Sequence, residues 1–90
     1  MHKESWLLKL YVSGRGHLSQ KAKANLERIC QQHITHEYRI VVIDLQENPA
    51  LAREHAIVAV PMVVREAPVP IRKVVGDLSN VPRALFALQF

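Results

Sequence analysis

Two short apolar runs, Trp6 to Val12 and Tyr38 to Leu45, flank a segment whose apolar positions recur at helical spacing. This arrangement narrows the choice of fold more than any other feature of the 90-residue chain. The first run is interrupted only by Lys9 and stops at Ser13 and Gly14, which reads as a strand ending in a turn. After the glycine-bearing loop Ser13 to Leu18, Ser19 is placed to cap a helix from Gln20 to about His33. Along that helix Ala22, Leu26, Ile29, Cys30 and His33 return at intervals of three and four, so they share one face. In the second run Ile40, Val41, Val42 and Ile43 follow without a break, the pattern of a parallel strand covered on both faces. Two strands joined through a helix make a β-α-β unit, whose crossover is right-handed in nearly all cases.

The second half is shorter in its elements. Asn48 before Pro49 reads as a cap followed by proline in the first helical position, opening a short helix to about His55. Ile57 to Val64 is strongly apolar, but Pro61 removes one ladder donor, so an edge position or a strand start is expected there. Pro68 and Pro70 punctuate a turn, Ile71 to Val75 forms another β-like run, and Gly76 ends it, giving a hairpin over residues 62–75. Asn80 or Ser79 caps a last helix from about Val81 to Leu88, with Pro82 tolerated in its first turn and Leu85, Phe86 and Leu88 apolar. The expected fold is α/β, a single domain over residues 1–90 of order β-α-β-α-β-β-α, the order of thioredoxin-like domains.

Composition closes off several classes of function. An apolar fraction of 49% with 22% charged residues fits a folded globular chain rather than a disordered one. The net charge of +4 suggests nucleic acid only if the cations cluster. Arg65, Arg72, Lys73 and Arg83 have no interleaved aromatic residues for base stacking, so they read as a solvated face, and no nucleic-acid partner is expected. No stretch approaches the roughly 18 to 20 apolar residues of a membrane span, and Met1 to Ser5 is polar. A cytoplasmic protein without a membrane partner is the expectation.

Catalytic chemistry finds no foothold. Thioredoxin-like enzymes carry a Cys-x-x-Cys pair in the loop after the first strand, where this chain has Ser13-Gly14-Arg15-Gly16-His17-Leu18. Without a thiolate there is no nucleophile to attack a disulfide. Cys30, the single cysteine, reads as a buried helix residue. Cys30, His33 and His36 are spaced three apart, yet His36 falls at the helix end and no carboxylate is fixed beside them, so no metal site is expected. Gly14-Arg15-Gly16 lacks the lysine and hydroxyl of a phosphate loop and reads as a plain turn. Asp44 and Asp77 lie far apart in sequence and do not identify an acid–base pair. The residues describe an interaction domain with no catalytic residues, no cofactor and no metal.

Several segments carry a resemblance. Leu8-Lys9-Leu10-Tyr11-Val12-Ser13-Gly14, Val42-Ile43-Asp44-Leu45, Asn48-Pro49, Leu51-Ala52, Ala59-Val60-Pro61 and Val75-Gly76-Asp77-Leu78-Ser79-Asn80 resemble the KaiB family of circadian clock proteins. The similarity runs from about Trp6 to Phe90; the KaiB-like sensor domain of the histidine kinase SasA is less similar at Gly76 to Asn80. The resemblance implies an adaptor that binds the N-terminal ATPase ring of KaiC, captures KaiA and displaces SasA, with no catalysis of its own. It also implies a metamorphic chain. One state is the thioredoxin-like fold, monomeric and competent for KaiC; the other is a β-α-β-β-α-α-β fold that assembles as a tetramer. An alternative is a KaiB-like regulatory domain outside the core clock, in stress or two-component signalling.

Carried over residue by residue, the contact toward KaiC falls on Lys21, Ala56 and Trp6, and the contact toward KaiA on Arg39 and Val41 at the second-strand edge. Lys21 keeps a positive charge where the family commonly has Arg. Ala56 stands where Lys is usual and Val41 where a basic residue is usual, so both contacts are expected to be weakened. The positions implied in fold switching are Pro61, Pro68, Pro70, Gly76, Asp77, Ala87 and Gln89, with a cis bond expected at Val60–Pro61. Ala87 and Gln89 replace a usual Gly and Asp, which favours a final helix by up to about 1 kcal/mol and several tenths respectively. Loss of a carboxylate from the C-terminal turn adds about 0.3 to 1 kcal/mol. The sum approaches roughly 2 kcal/mol, enough to shift an equilibrium between folds more than tenfold, so the thioredoxin-like monomer is expected to predominate. No acidic tail of the kind usual in the family follows Phe90, so none is expected to bias the equilibrium.

Overall fold

The elements follow in the order β1 (Ser5–Val12), α1 (His17–His33), β2 (Glu37–Asp44), α2 (Ala50–Glu54), β3 (Met62–Ala67), β4 (Arg72–Val75) and α3 (Val81–Leu88). This is a computed structural model, and it describes residues 5–57 and 59–90. Residues 1–4, the polar start, and Val58, part of the expected third strand, lie outside the described residues. The strands form one sheet of order β2-β1-β3-β4, with β1 parallel to β2 and antiparallel to β3, and β3 antiparallel to β4. The expected thioredoxin-like order is the one observed.

Period-two alternation in β1 divides the interior into two layers. Trp6, Leu8, Leu10 and Val12 point to one side, where Ala22, Leu26, Ile29 and Cys30 of α1 and Ala84 and Leu88 of α3 meet them, together with Val63 and Val74. Tyr11 points to the other side and joins Met62, Val64 and Ile57, with Ile43, Leu45 and Ala52 of α2 against them. The first layer carries most of the core. The second is thin, because α2 has five residues and none of them is buried.

Several local expectations shift on inspection. The first helix starts at His17 with Gly16 as its cap, not at Gln20 with Ser19; the extended Gly16 carbonyl accepts the Gln20 amide, and Ser19 turns into the first buried row. His33 is exposed at the last turn, while Asn25 takes a place on the buried face. β2 runs parallel to β1 but lies at the sheet margin, so its residues are half-buried and Val42 is 42% exposed rather than covered on both faces. The second helix begins one residue late with Pro49 as its cap, and Asn48 offers its main-chain carbonyl to Leu51 instead of its side chain. β3 begins just after Pro61, as a strand start, and sits inside the sheet rather than at its edge. α3 begins where expected: Asn80 Oδ1 accepts from the Arg83 amide at 3.2 Å, with Pro82 in the first turn.

The Val60–Pro61 peptide is cis, as are Ala67–Pro68 and Val69–Pro70. Ala87 lies within α3, where its helix preference applies. Gln89 does not: it caps the helix at φ 60°, ψ 50°, in the left-handed region where helix propensity has no bearing. The expected contribution of Gln89 through propensity is therefore replaced by its side chain, whose Nε2 donates to the Phe86 carbonyl at 3.2 Å.

Leu26, with no exposed surface, belongs to the first-layer cluster that joins residues of β1, α1 and α3. Leu26→Ala is expected to lower the unfolding free energy by about 2–5 kcal/mol, and Val42→Ala at the half-exposed margin by less than about 1 kcal/mol. Urea denaturation of the two variants measures the contrast.

Candidate functional site

Arg65 interrupts the apolar row Met62-Val63-Val64 of β3, and alternation places it on the same side as the core residue Val63. Only 4% of it is exposed. Its guanidinium donates through Nη1 to the Leu88 carbonyl at 2.8 Å and the Gln89 carbonyl at 3.3 Å, and through Nη2 to the Pro70 carbonyl at 2.8 Å. The same group lies 5.1 Å from the centre of the Trp6 ring, which in turn meets Phe90 edge-on at 5.1 Å. One side chain thus joins β1, the β3–β4 turn and the end of α3, and it satisfies carbonyls that a helix C-terminus leaves without partners. Arg65 is therefore not part of a solvated basic face with Arg72, Lys73 and Arg83, which are exposed. The signal in the sequence was its register: a cation on the core-facing row of a strand.

The loop between β4 and α3 is latched onto α1. Asn25 Nδ2 donates to the Asp77 carbonyl at 2.8 Å, and Lys21 Nζ lies 3.3 Å from Asp77 Oδ2. Asp77 Oδ1 accepts the Ser79 amide at 2.9 Å. The Ser79 hydroxyl and amide, then Lys21, hold the Asp77 carboxyl down at about 2. Between these anchors Gly76 takes φ 116° and Leu78, 5% exposed, takes φ 66°. A leucine in the left-handed region costs about 1–2 kcal/mol, which burial of its side chain offsets. Asp44 does the parallel task at the other loop: its Oδ1 accepts from Gly14 at 2.8 Å and Gln46 at 2.9 Å, and these bonds lower its carboxyl. Both aspartates shape loops.

A cleft of about 560 Å³ opens between the start of α1 and the ends of β1 and β2. Its cations, Arg15 and Lys23, are matched by Asp44 and Glu47, and Arg15 lies 3.7 Å from Glu47, so the cleft has no charge preference. Cys30 is buried on α1, and burial pushes its thiol up to about 12. Almost none of it is thiolate near neutrality. Among the described residues no group of three or more His, Cys, Asp or Glu side chains is arranged to hold a metal.

The chain presents some of the expected partner residues and not others. Lys21 is half-exposed on α1 and Ala56 is exposed just past α2 in a left-handed conformation at φ 55°. Trp6 is 7% exposed, held in the core against Arg65 and Phe90, so its place as a surface contact gives way to a packing role. Arg39 is exposed and Val41 half-buried on β2, an open sheet edge. Pro61, Pro68, Pro70, Gly76, Asp77, Ala87 and Gln89 all belong to the connections around β3, β4 and α3 or to α3 itself.

Comparison with known proteins places this architecture. A family model described as the KaiB domain matches residues 9–90. The circadian clock protein KaiB3 of Synechocystis sp. is 37% identical over 82 residues, covering 91% of this chain and 80% of that protein. The circadian clock oscillator protein KaiB of Cyanothece sp. is 40% identical over 86 residues, covering 96% of this chain and 82% of that protein. Among solved structures, the N-terminal domain of Synechococcus elongatus SasA superposes with a TM-score of 0.78 at 24% identity, over 96% of this chain and 83% of that one. Mitochondrial thioredoxin 3 of Saccharomyces cerevisiae gives 0.71 at 17% identity, over 94% and 78%. These two likenesses establish the thioredoxin-like fold.

The Asp77 carboxyl, at about 2 against an ordinary 3.8, favours the folded state fully above about pH 4, and this contribution is lost as pH falls toward 2. Asp77→Asn removes the contribution. Denaturation midpoints should therefore differ between the native chain and this variant at neutral pH and converge as pH drops from about 4 to 2.

Proposed function

Since the chain belongs to the KaiB family, we propose that it is a non-catalytic clock adaptor that docks on the N-terminal ATPase ring of a KaiC-type protein, captures KaiA and competes with SasA. The observation that carries this reading is the family match over residues 9–90, on a domain folded in the thioredoxin-like form. Absence of catalysis is supported by the chemistry of the loop after β1, which has no thiol, and by a buried Cys30 whose thiol sits near 12. Competition with SasA requires a common shape, and the two chains share the fold. The adaptor works in the cytoplasm as a monomer in this fold, and the family's tetrameric fold is its alternative state. Pro61, Pro68, Pro70, Gly76, Asp77, Ala87 and Gln89 are the positions through which the two states exchange.

In this reading Lys21 and Ala56 face the ring and Arg39 and Val41 face KaiA. The uncharged Ala56 and Val41 favour a second reading, a KaiB-family regulator in stress or two-component signalling that keeps the fold and serves another partner. Titration of a fluorescently labelled chain with a KaiC-type N-terminal ring separates them. The adaptor predicts saturable binding that Lys21→Ala weakens about five- to tenfold, since one charge-assisted contact is worth about 1–1.4 kcal/mol. Absence of binding by the folded chain would support the second reading instead.

A further inference from the structure

β4 is the last strand of the sheet, and among the described residues no strand lies beside its outer amides and carbonyls. Its side toward the helices is complete, with Val74 7% exposed in the core. The other side is not. Ile71 and Val75 stand there 58% and 46% exposed with Lys73 between them, and Val69 in the preceding turn is 80% exposed. Ile71 and Lys73 also form one wall of a groove of about 150 Å³, floored by Tyr11 and Val64 and closed by His55 and Ile57.

Charge tells what this edge is suited to receive. Arg72 and Lys73 have no carboxylate partner among the described residues, and Glu66 at the rim of the groove is engaged by Lys9 at 3.1 Å. Cations on an edge strand ordinarily guard against edge-to-edge pairing, and here they oppose a second copy, because antiparallel pairing of two β4 strands brings the cations of both together. That role leaves the exposed aliphatic row beside them unexplained. An extended acidic segment resolves both features: its main chain pairs with β4, its apolar side chains cover Ile71, Val75 and the groove, and its carboxylates, projecting to the other face, meet Arg72 in the positive field of the edge.

We propose that the free edge of β4, with the adjoining groove, binds an extended segment of a partner protein in which apolar and acidic residues alternate, added to the sheet as a further strand. Arg72, on the face opposite Ile71 and Val75, meets the acidic row of a strand about 5 Å away, while the aliphatic stem of Lys73 lies under its apolar row and its ammonium reaches past the edge. The site lies at the opposite margin of the sheet from the β2 edge, so it does not rest on the clock reading.

The test is an amide NMR titration of the full chain with a blocked peptide of about ten residues alternating valine and aspartate, long enough to span β4. A matched valine–lysine peptide is the control. The acidic peptide is expected to shift amides within residues 62–75 and the basic one to leave them unmoved. Arg72→Glu with Lys73→Glu, both at exposed positions, should weaken the acidic peptide at least about tenfold and confer binding of the basic one. Shifts confined to β2, equal binding of both peptides, no binding of either, or indifference to charge reversal would overturn the proposal. So would concentration-dependent broadening of residues 71–75 without peptide, which identifies a second copy as the occupant.

Discussion

The Arg65 guanidinium is the constraint around which the C-terminal half is organised. Burying a cation is costly unless it is well hydrogen-bonded, and here both terminal nitrogens donate to main-chain carbonyls, Nη1 to Leu88 and Gln89 and Nη2 to Pro70, with the Trp6 ring beside the charge. These carbonyls come from the segments with least support of their own. α3 has eight residues and ends in a left-handed Gln89, and the β3–β4 turn is exposed at Val69. A helix that short is marginal in water without tertiary support. Arg65 supplies that support from a strand already fixed between β1 and β4.

A second set of contacts fixes the other end of α3. Asn25 and Lys21 hold the Asp77 loop against α1, Asp77 and Ser79 close the turn, and Asn80 caps the helix. α3 is thus held at its start by polar contacts to α1 and at its end by Arg65, with Ala84 and Leu88 buried between. This arrangement couples Lys21, proposed above to face a partner, to the fold. Lys21 lies on the exposed side of α1 and also pairs with Asp77, so a partner that draws Lys21 away acts on the loop that starts α3.

Much of this architecture was legible in the chain. The β-α-β opening followed from the apolar runs around a helical period, and α3 from Asn80 and Pro82. What was not legible depended on neighbours rather than on local pattern. Ile40 to Ile43 read as a doubly covered strand because an apolar run does not say which end of the sheet order it occupies; β2 lies at the margin. Ser19 has the chemistry of a cap, but the helix starts earlier because extended Gly16 already supplies the first acceptor. Local pattern did not reveal what Asp44 and Asp77 do, since their roles include hydrogen bonds with residues up to 52 positions distant. Arg65 looked like surface charge because composition weighs a cation by type, whereas its row in β3 decides its fate. Trp6, carried over by resemblance as a contact, is drawn inside by the same cation.

The most direct measurement is native-state amide exchange over α3 in the native chain and in Arg65→Met, with Arg65→Lys as the variant that keeps charge without the fork. If Arg65 holds the C-terminal half, Arg65→Met should lower protection of residues 84–88 about a hundredfold or more, corresponding to roughly 3 kcal/mol, while β1 and β2 change far less. Arg65→Lys should fall between. Unchanged protection of α3, or an equal loss across β1, β2 and α3, would contradict the account.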